Sequence, residues 1–118
     1  MENQAGSEKK PPARLAELEA QFEKELACEL VSAYLLDTQD SMERMQESIF
    51  NQDARALKSI AHMLKGASRI VMADDIEKLC TEMEEYGISV NWLKAEMLYE
   101  KLNRQFEVLV DYLRRYLQ

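Results

Sequence analysis

The chain has 118 residues, 47% of them hydrophobic and 31% charged, with a formal net charge of −7. That is the composition of one folded domain rather than a disordered chain, and no apolar run approaches the roughly 18–20 residues of a bilayer span. A pI of about 4.8 argues against nucleic acid as a partner, because such binders present a broad basic face.

Met1 to Pro12 reads as a flexible leader or linker, with Gly6, Ser7, a Lys9-Lys10 pair and both prolines, and without apolar periodicity. It has no signal-peptide core. Residues 13–118 form the expected domain, and with no proline there its periodicity is helical throughout. Leu15, Leu18, Phe22, Leu26, Leu30 and Tyr34 recur at steps of three and four, continuing through Met45 and Ile49. They predict one or two helices from about Pro12 to Phe50, with a break near Ala20–Lys24. Asp53 is a suitable N-cap for the next helix, whose buried stripe is Leu57, Ile60, Ala61, Leu64, Ser68 and Val71. Asp74-Asp75-Ile76-Glu77 resembles a capping box. It opens a helix with Ile76, Leu79, Cys80 and Met83 inward and Gly87 as a left-handed terminator. A last helix from about Asn91 to Leu117 buries Leu98, Leu102, Phe106, Leu109, Leu113 and Tyr116. Met42, Met45, Met72, Met83 and Met97 read mostly as core filler. The fold class is therefore all-α: an antiparallel up-down four-helix bundle with an additional short N-terminal helix or helix extension. Two cysteines, Cys28 and Cys80, are too few for a disulfide scaffold and suit small core positions, so a reducing, cytoplasmic setting is expected.

The chemistry concentrates in the third predicted helix. From Ala54 to Ala73 there are four cations, Arg55, Lys58, Lys65 and Arg69, and no acid, which leaves −11 on the rest of the chain. His62, the sole histidine, lies in this segment. With Leu57 set at zero and about 100° per residue, His62 falls near 140°, away from the buried stripe. Lys65 falls near 80°, Lys58 near 100°, Arg69 near 120°, Arg55 near 160° and Gly66 near 180° on the same scale. Lys58, Lys65 and Gly66 are therefore the direct surface neighbours of the imidazole.

A neutral imidazole is a competent nucleophile near physiological pH, and a phosphoryl group bound to a side chain carries about −1.5 to −2 charge. A lysine one turn away would attract that charge by about 4 kcal/mol gross before desolvation and screening. Gly66 costs its helix about 1 kcal/mol relative to Ala; on a polar face its benefit would be room for a partner. Met63 and Ile70 flank the basic face as an apolar rim, and with Lys58 and Arg69 they are the candidate partner-binding residues. A surface histidine taken alone is more often a bystander, and lysines and arginines often form a solvated face. A di-iron bundle would need paired Glu-x-x-His motifs, which one histidine cannot supply. Three glycines leave no room for a Walker or Gly-rich nucleotide loop.

Ala61-His62-Met63-Leu64-Lys65-Gly66-Ala67-Ser68 resembles the A-H-x-L-K-G-[AS]-[AS] signature of histidine-containing phosphotransfer (HPt) domains. Leu79-Cys80-Thr81-Glu82-Met83-Glu84 is similar to the L-C-x-x-[LM]-E that follows it in that family, and Asn51 to Leu57 resembles the family's G-D-x-x-x-L helix start. The likeness covers about Phe22 to Leu117. The sequence departs from the family at Ile70, often Asn there, and at Met72, often Gly.

The resemblance implies a phosphorelay intermediate. His62 would take a phosphoryl group from a receiver-domain aspartate through Nε2 and pass it to another. Lys65 would orient and partly neutralise the phosphate, and Gly66 would give the receiver clearance. No cofactor of the chain's own is expected; Mg²⁺ would come with the receiver. The expected partners are receiver domains of response regulators or of a hybrid sensor kinase, with no nucleic acid, no membrane insertion and a monomeric chain. Such a domain is not itself an enzyme, and it occurs alone or as the C-terminal module of a sensor histidine kinase tethered to the membrane. A helical adaptor that is never phosphorylated, a pseudo-HPt protein, is the alternative.

Overall fold

A computed structural model describes residues 10–118; the remainder of the expected leader lies outside the described residues. Every regular element among the described residues is a helix: α1 (Leu15–Thr38), α2 (Ser41–Phe50), α3 (Ala54–Ile70), α4 (Asp74–Ser89) and α5 (Trp92–Leu117). None is long and apolar enough to cross a membrane.

The expected break in the first helix is present and falls at Glu23, whose φ of 69° and ψ of 161° interrupt α1. The break shifts the phase of the buried stripe by one residue. Before it Leu15 and Leu18 are buried; after it Ala27, Val31 and Tyr34 take the core, while Leu26 is exposed and Leu30 only partly covered. The uninterrupted series through Leu26 and Leu30 is thereby corrected. A second interruption separates α1 from α2. Gln39 keeps helical angles (φ −60°, ψ −30°) and Asp40 departs modestly (φ −110°, ψ 7°), so the chain bends there without reversing.

The rod from Lys24 to Phe50, so bent, supplies one member of a four-helix bundle, and α3, α4 and α5 supply the others. Helix α4 packs on α3 and α5, and α2 packs on the same two. The segment Leu15–Phe22 is the additional N-terminal piece. Its docking is specific: the Arg14 backbone N–H donates to the Met72 carbonyl at 3.1 Å, and the Arg14 guanidinium grips Asp74 at 2.7 and 3.0 Å. Tyr116 donates to Glu19 from the far end of α5.

The core holds Leu57, Leu64, Met83, Leu102, Leu109 and Leu113, all fully buried. Met42 and Met45 are core residues as expected, but Met97 is exposed. Cys80 is a buried thiol that burial pushes up to about 12, and Cys28 is half-buried. The buried Ser68 hydroxyl meets the Tyr34 hydroxyl at 2.8 Å, so neither polar group is left unpaired in the core.

The helix ends correct two expectations. Asp53 caps α3 by accepting from the Ala56 N–H at 3.1 Å, as its sequence position suggested. Helix α4, however, starts from Ala73 without a side-chain cap. Asp74 is engaged by Arg14 and Glu77 by Arg69 instead of forming a capping box. Gly87 does not terminate α4. The helix runs on to Ser89, and Val90 adopts the left-handed conformation (φ 57°, ψ 43°). Gly87 is buried against α3, where an added Cβ would stand 3.3 Å from the Lys58 backbone nitrogen and 3.5 Å from the Ala54 carbonyl oxygen. It lets the two helices approach closely.

Candidate functional site

The apolar stripe of α3 is buried as its spacing requires, with Leu57, Ala61 and Leu64 fully covered. Rotation about the helix axis then fixes the opposite face. The His62 side chain stands 68% exposed. Gly66 is exposed one turn on, and a Cβ placed there would meet no atom within 4 Å. Nothing among the described residues requires glycine at that position.

Lys65 is where the geometry departs from the simplest expectation. Its ammonium does not stand free beside the imidazole. It donates to Glu84 Oε1 at 2.8 Å, with only 20% of its side chain exposed. The second oxygen of the same carboxylate, Oε2, lies 3.0 Å from His62 Nδ1. Glu84, on α4, thus bridges the imidazole and the lysine across the α3–α4 interface. The Lys65 hydrogen bond, helped by the one to His62, holds the Glu84 carboxyl below the usual carboxylate range against the opposing effect of burial. An ionised Glu84 only accepts hydrogen bonds. The short contact therefore places a proton on Nδ1 of a neutral His62 and leaves the lone pair on Nε2. Among the described residues Nε2 has no hydrogen-bond partner of its own.

Arg69 donates to Glu77 at 2.6 Å, so its charge is already matched within the chain. Lys58 has no carboxylate within ion-pair distance among the described residues, and neither does Arg55. Met63 and Ile70 are both exposed. Met63 adjoins His62 in a groove between α3 and α4, whereas Ile70 sits in the last turn of α3, about 12 Å along the axis from His62 at 1.5 Å per residue. The structure thus gathers His62, Lys65, Lys58 and Met63 about one locus, with Gly66 beside it, and sets Ile70 apart.

Single-helix periodicity could not reveal the role of Glu84, because the residue acts across an interface. Its only trace in the sequence was its place at the end of Leu79–Glu84. No group of three or more His, Cys, Asp or Glu among the described residues is arranged to hold a metal ion.

Residues 29–116 match the family model described as Hpt domain. Among solved structures, the histidine-containing phosphotransfer protein B (HptB) of Pseudomonas aeruginosa PAO1 is similar, with a TM-score of 0.82 and 26% identity over 93% of this chain and 97% of that one. No curated protein matches the sequence. The family match spans most of the bent rod and helices α3, α4 and α5, the first two of which carry the His62–Glu84–Lys65 arrangement, and with it the chain belongs to the Hpt domain family, phosphotransfer modules of two-component signalling.

Proposed function

We propose that His62 is the phosphoryl acceptor and donor of this domain, working through Nε2 between the aspartates of two receiver domains. The observation that carries this reading is the 3.0 Å contact between Nδ1 and Glu84, which commits the inner nitrogen and leaves the outer one nucleophilic. The Nε2 lone pair attacks phosphorus in line as the bond to the aspartyl oxygen breaks, and the aspartate leaves as a carboxylate. No proton need move. The Nδ1 proton stays in place, and the phosphorylated ring, now cationic, faces the Glu84 carboxylate. The reverse sequence delivers the group to the second aspartate.

Mg²⁺ and most of the stabilisation of the transferring group belong to the receiver. Lys65 acts in two ways. It keeps Glu84 ionised, and its two remaining N–H donors stay close to the phosphoryl oxygens. Gly66 gives clearance to the docking receiver.

The test is phosphoryl transfer from receiver domains charged with radiolabelled acetyl phosphate. Label on this chain should be acid-labile and base-stable and should map to His62. His62→Gln should abolish labelling while leaving helicity and the thermal midpoint nearly unchanged, because the ring contributes little to the core. Undiminished labelling of His62→Gln would refute the proposal.

A further inference from the structure

The four cations of α3 are not equivalent. Lys65 and Arg69 are matched by Glu84 and Glu77. Arg55 and Lys58, without a carboxylate partner among the described residues, line an open groove of about 720 Å³ between α3 and α4 that ends at His62. The unspent positive charge of α3 therefore lies on one side of the histidine, toward the N-terminus of that helix. Two apolar side chains also line the groove: Met63, 47% exposed, and Ile88, 61% exposed. Its floor is the close contact of the two helices, where Gly87 lies against the backbone of Ala54 and Lys58. Seven residues separate Arg55 from His62, about 10 Å along the axis, so a partner reacting at Nε2 would meet the groove with a second part of its surface.

We infer that this groove selects the receiver: it takes an apolar side chain, flanked by carboxylates, from the receiver surface next to the phosphorylated aspartate. The carboxylates pair with Arg55 and Lys58, and the apolar side chain lies between Met63 and Ile88. The Arg69–Ile70 end of α3 does not discriminate among receivers. Charge complementarity identifies the occupant: two unpaired cations call for an acidic surface, and continuity with His62 makes it the surface of the domain that brings the phosphate. The inference rests on the phosphotransfer reading of His62, but it concerns which receiver binds rather than which atom reacts.

Two measurements separate the two ideas. Phosphoramidate, a small donor that needs no docking surface, should label His62 in the wild-type chain whatever the groove binds. Failure of wild-type labelling would remove the function proposed for His62 and leave the groove to be decided by binding. For binding and transfer the probe is a panel of purified receiver domains, charged with beryllofluoride for affinity and with acetyl phosphate for rate.

The double variant should lose about tenfold or more in affinity for the best receiver, mainly through a slower on-rate. The loss should shrink as added salt shortens the screening length from about 10 Å at 0.1 M to about 3 Å at 1 M. Ile88→Ser should weaken the same receiver without that salt dependence, and Arg69→Glu should change affinity by less than about twofold. Unchanged ranking and affinity across the panel for both groove variants would overturn the inference, as would an equal loss in Arg69→Glu. Finding that wild-type chain dimerises through this groove, with the variants monomeric and transfer unaltered, would overturn it as well.

Discussion

Glu84 Oε2 lies 3.0 Å from His62 Nδ1 while Glu84 Oε1 lies 2.8 Å from Lys65 Nζ, so one carboxylate on α4 sets both the tautomer of the imidazole and the direction of the lysine. Removing it should impair transfer through His62 without unfolding the bundle. A hydrogen bond to a charged group is worth about 1.5–3 kcal/mol, which corresponds to about 10- to 100-fold in rate where it is lost in the transition state. Glu84→Ala should slow phosphoryl transfer within that range, and nitrogen NMR should show the His62 proton redistributing from Nδ1 to Nε2. Lys65→Ala should slow transfer more than Arg69→Ala, since only Lys65 shares the histidine's carboxylate. A Glu84→Ala chain that transfers at the wild-type rate would exclude the positioning role.

Stability should respond to acid through two carboxyls. Hydrogen bonding to Lys65 lowers the Glu84 pKa, and hydrogen bonding to Arg14 lowers that of Asp74. Because both pKa values are depressed on folding, their contribution is fully present above the unfolded values of about 4.3 for Glu and 3.9 for Asp. It disappears as the pH falls through the lower folded values. Urea midpoints of wild-type chain should therefore decline between about pH 5 and pH 2, whereas Glu84→Gln and Asp74→Asn should each start lower at neutral pH and decline less. Parallel curves for wild type and variants would refute this linkage.

Two helical glycines should respond oppositely to the same change. At Gly66 a Cβ meets nothing within 4 Å, so Gly66→Ala should stabilise by about 1 kcal/mol, the difference in helix propensity. At Gly87 a Cβ would press on the Lys58 backbone nitrogen at 3.3 Å. Backbone cannot turn aside as a side chain can, so overpacking of about 1–3 kcal/mol should cancel or exceed the propensity gain in Gly87→Ala. Thermal unfolding measures both. Similar stabilisation by the two substitutions would mean that α3 and α4 are not in close contact at Gly87.

The buried stripes of α3, α4 and α5 were legible because each is one unbroken helix whose period of 3.6 residues survives from end to end. The outward projection of His62 follows from the same regularity. What the sequence hid were events without periodicity. The phase slip from Leu26 to Ala27 follows from the dihedral angles of a single residue, Glu23. The end of α4 was misplaced because the sequence offers a glycine at 87, whereas the chain forces Val90 into the left-handed conformation three residues later. The pairings Lys65–Glu84, Arg69–Glu77 and Arg14–Asp74 join residues on different segments, so a single-helix projection assigns those cations to solvent. Tertiary contact decided which charges remained for a partner.

The helix ends provide a last test. Three helices close in the same way. The Asp53 N–H donates to the Ser48 carbonyl, Ala73 to Ser68 and Asn91 to Tyr86, each around a residue of positive φ: Gln52 (52°), Met72 (60°) and Val90 (57°). These are Schellman closures, in which glycine is the usual left-handed residue. Val90 is the least suited, because a branched Cβ collides with its own backbone there. Glu23, with φ 69° and ψ 161°, lies in a region that is nearly exclusive to glycine and costs about 1–3 kcal/mol. Relief of that strain, offset by the greater unfolded-state entropy of glycine, should leave Val90→Gly and Glu23→Gly each more stable by about 1 kcal/mol, raising the thermal midpoint by about 4 °C. Glu23→Ala should give no such gain, since alanine shares the steric penalty and differs only in lacking the carboxylate. If Glu23→Ala stabilised and Glu23→Gly destabilised, α1 would have to be continuous through residue 23, and Leu26 rather than Ala27 would belong in the core.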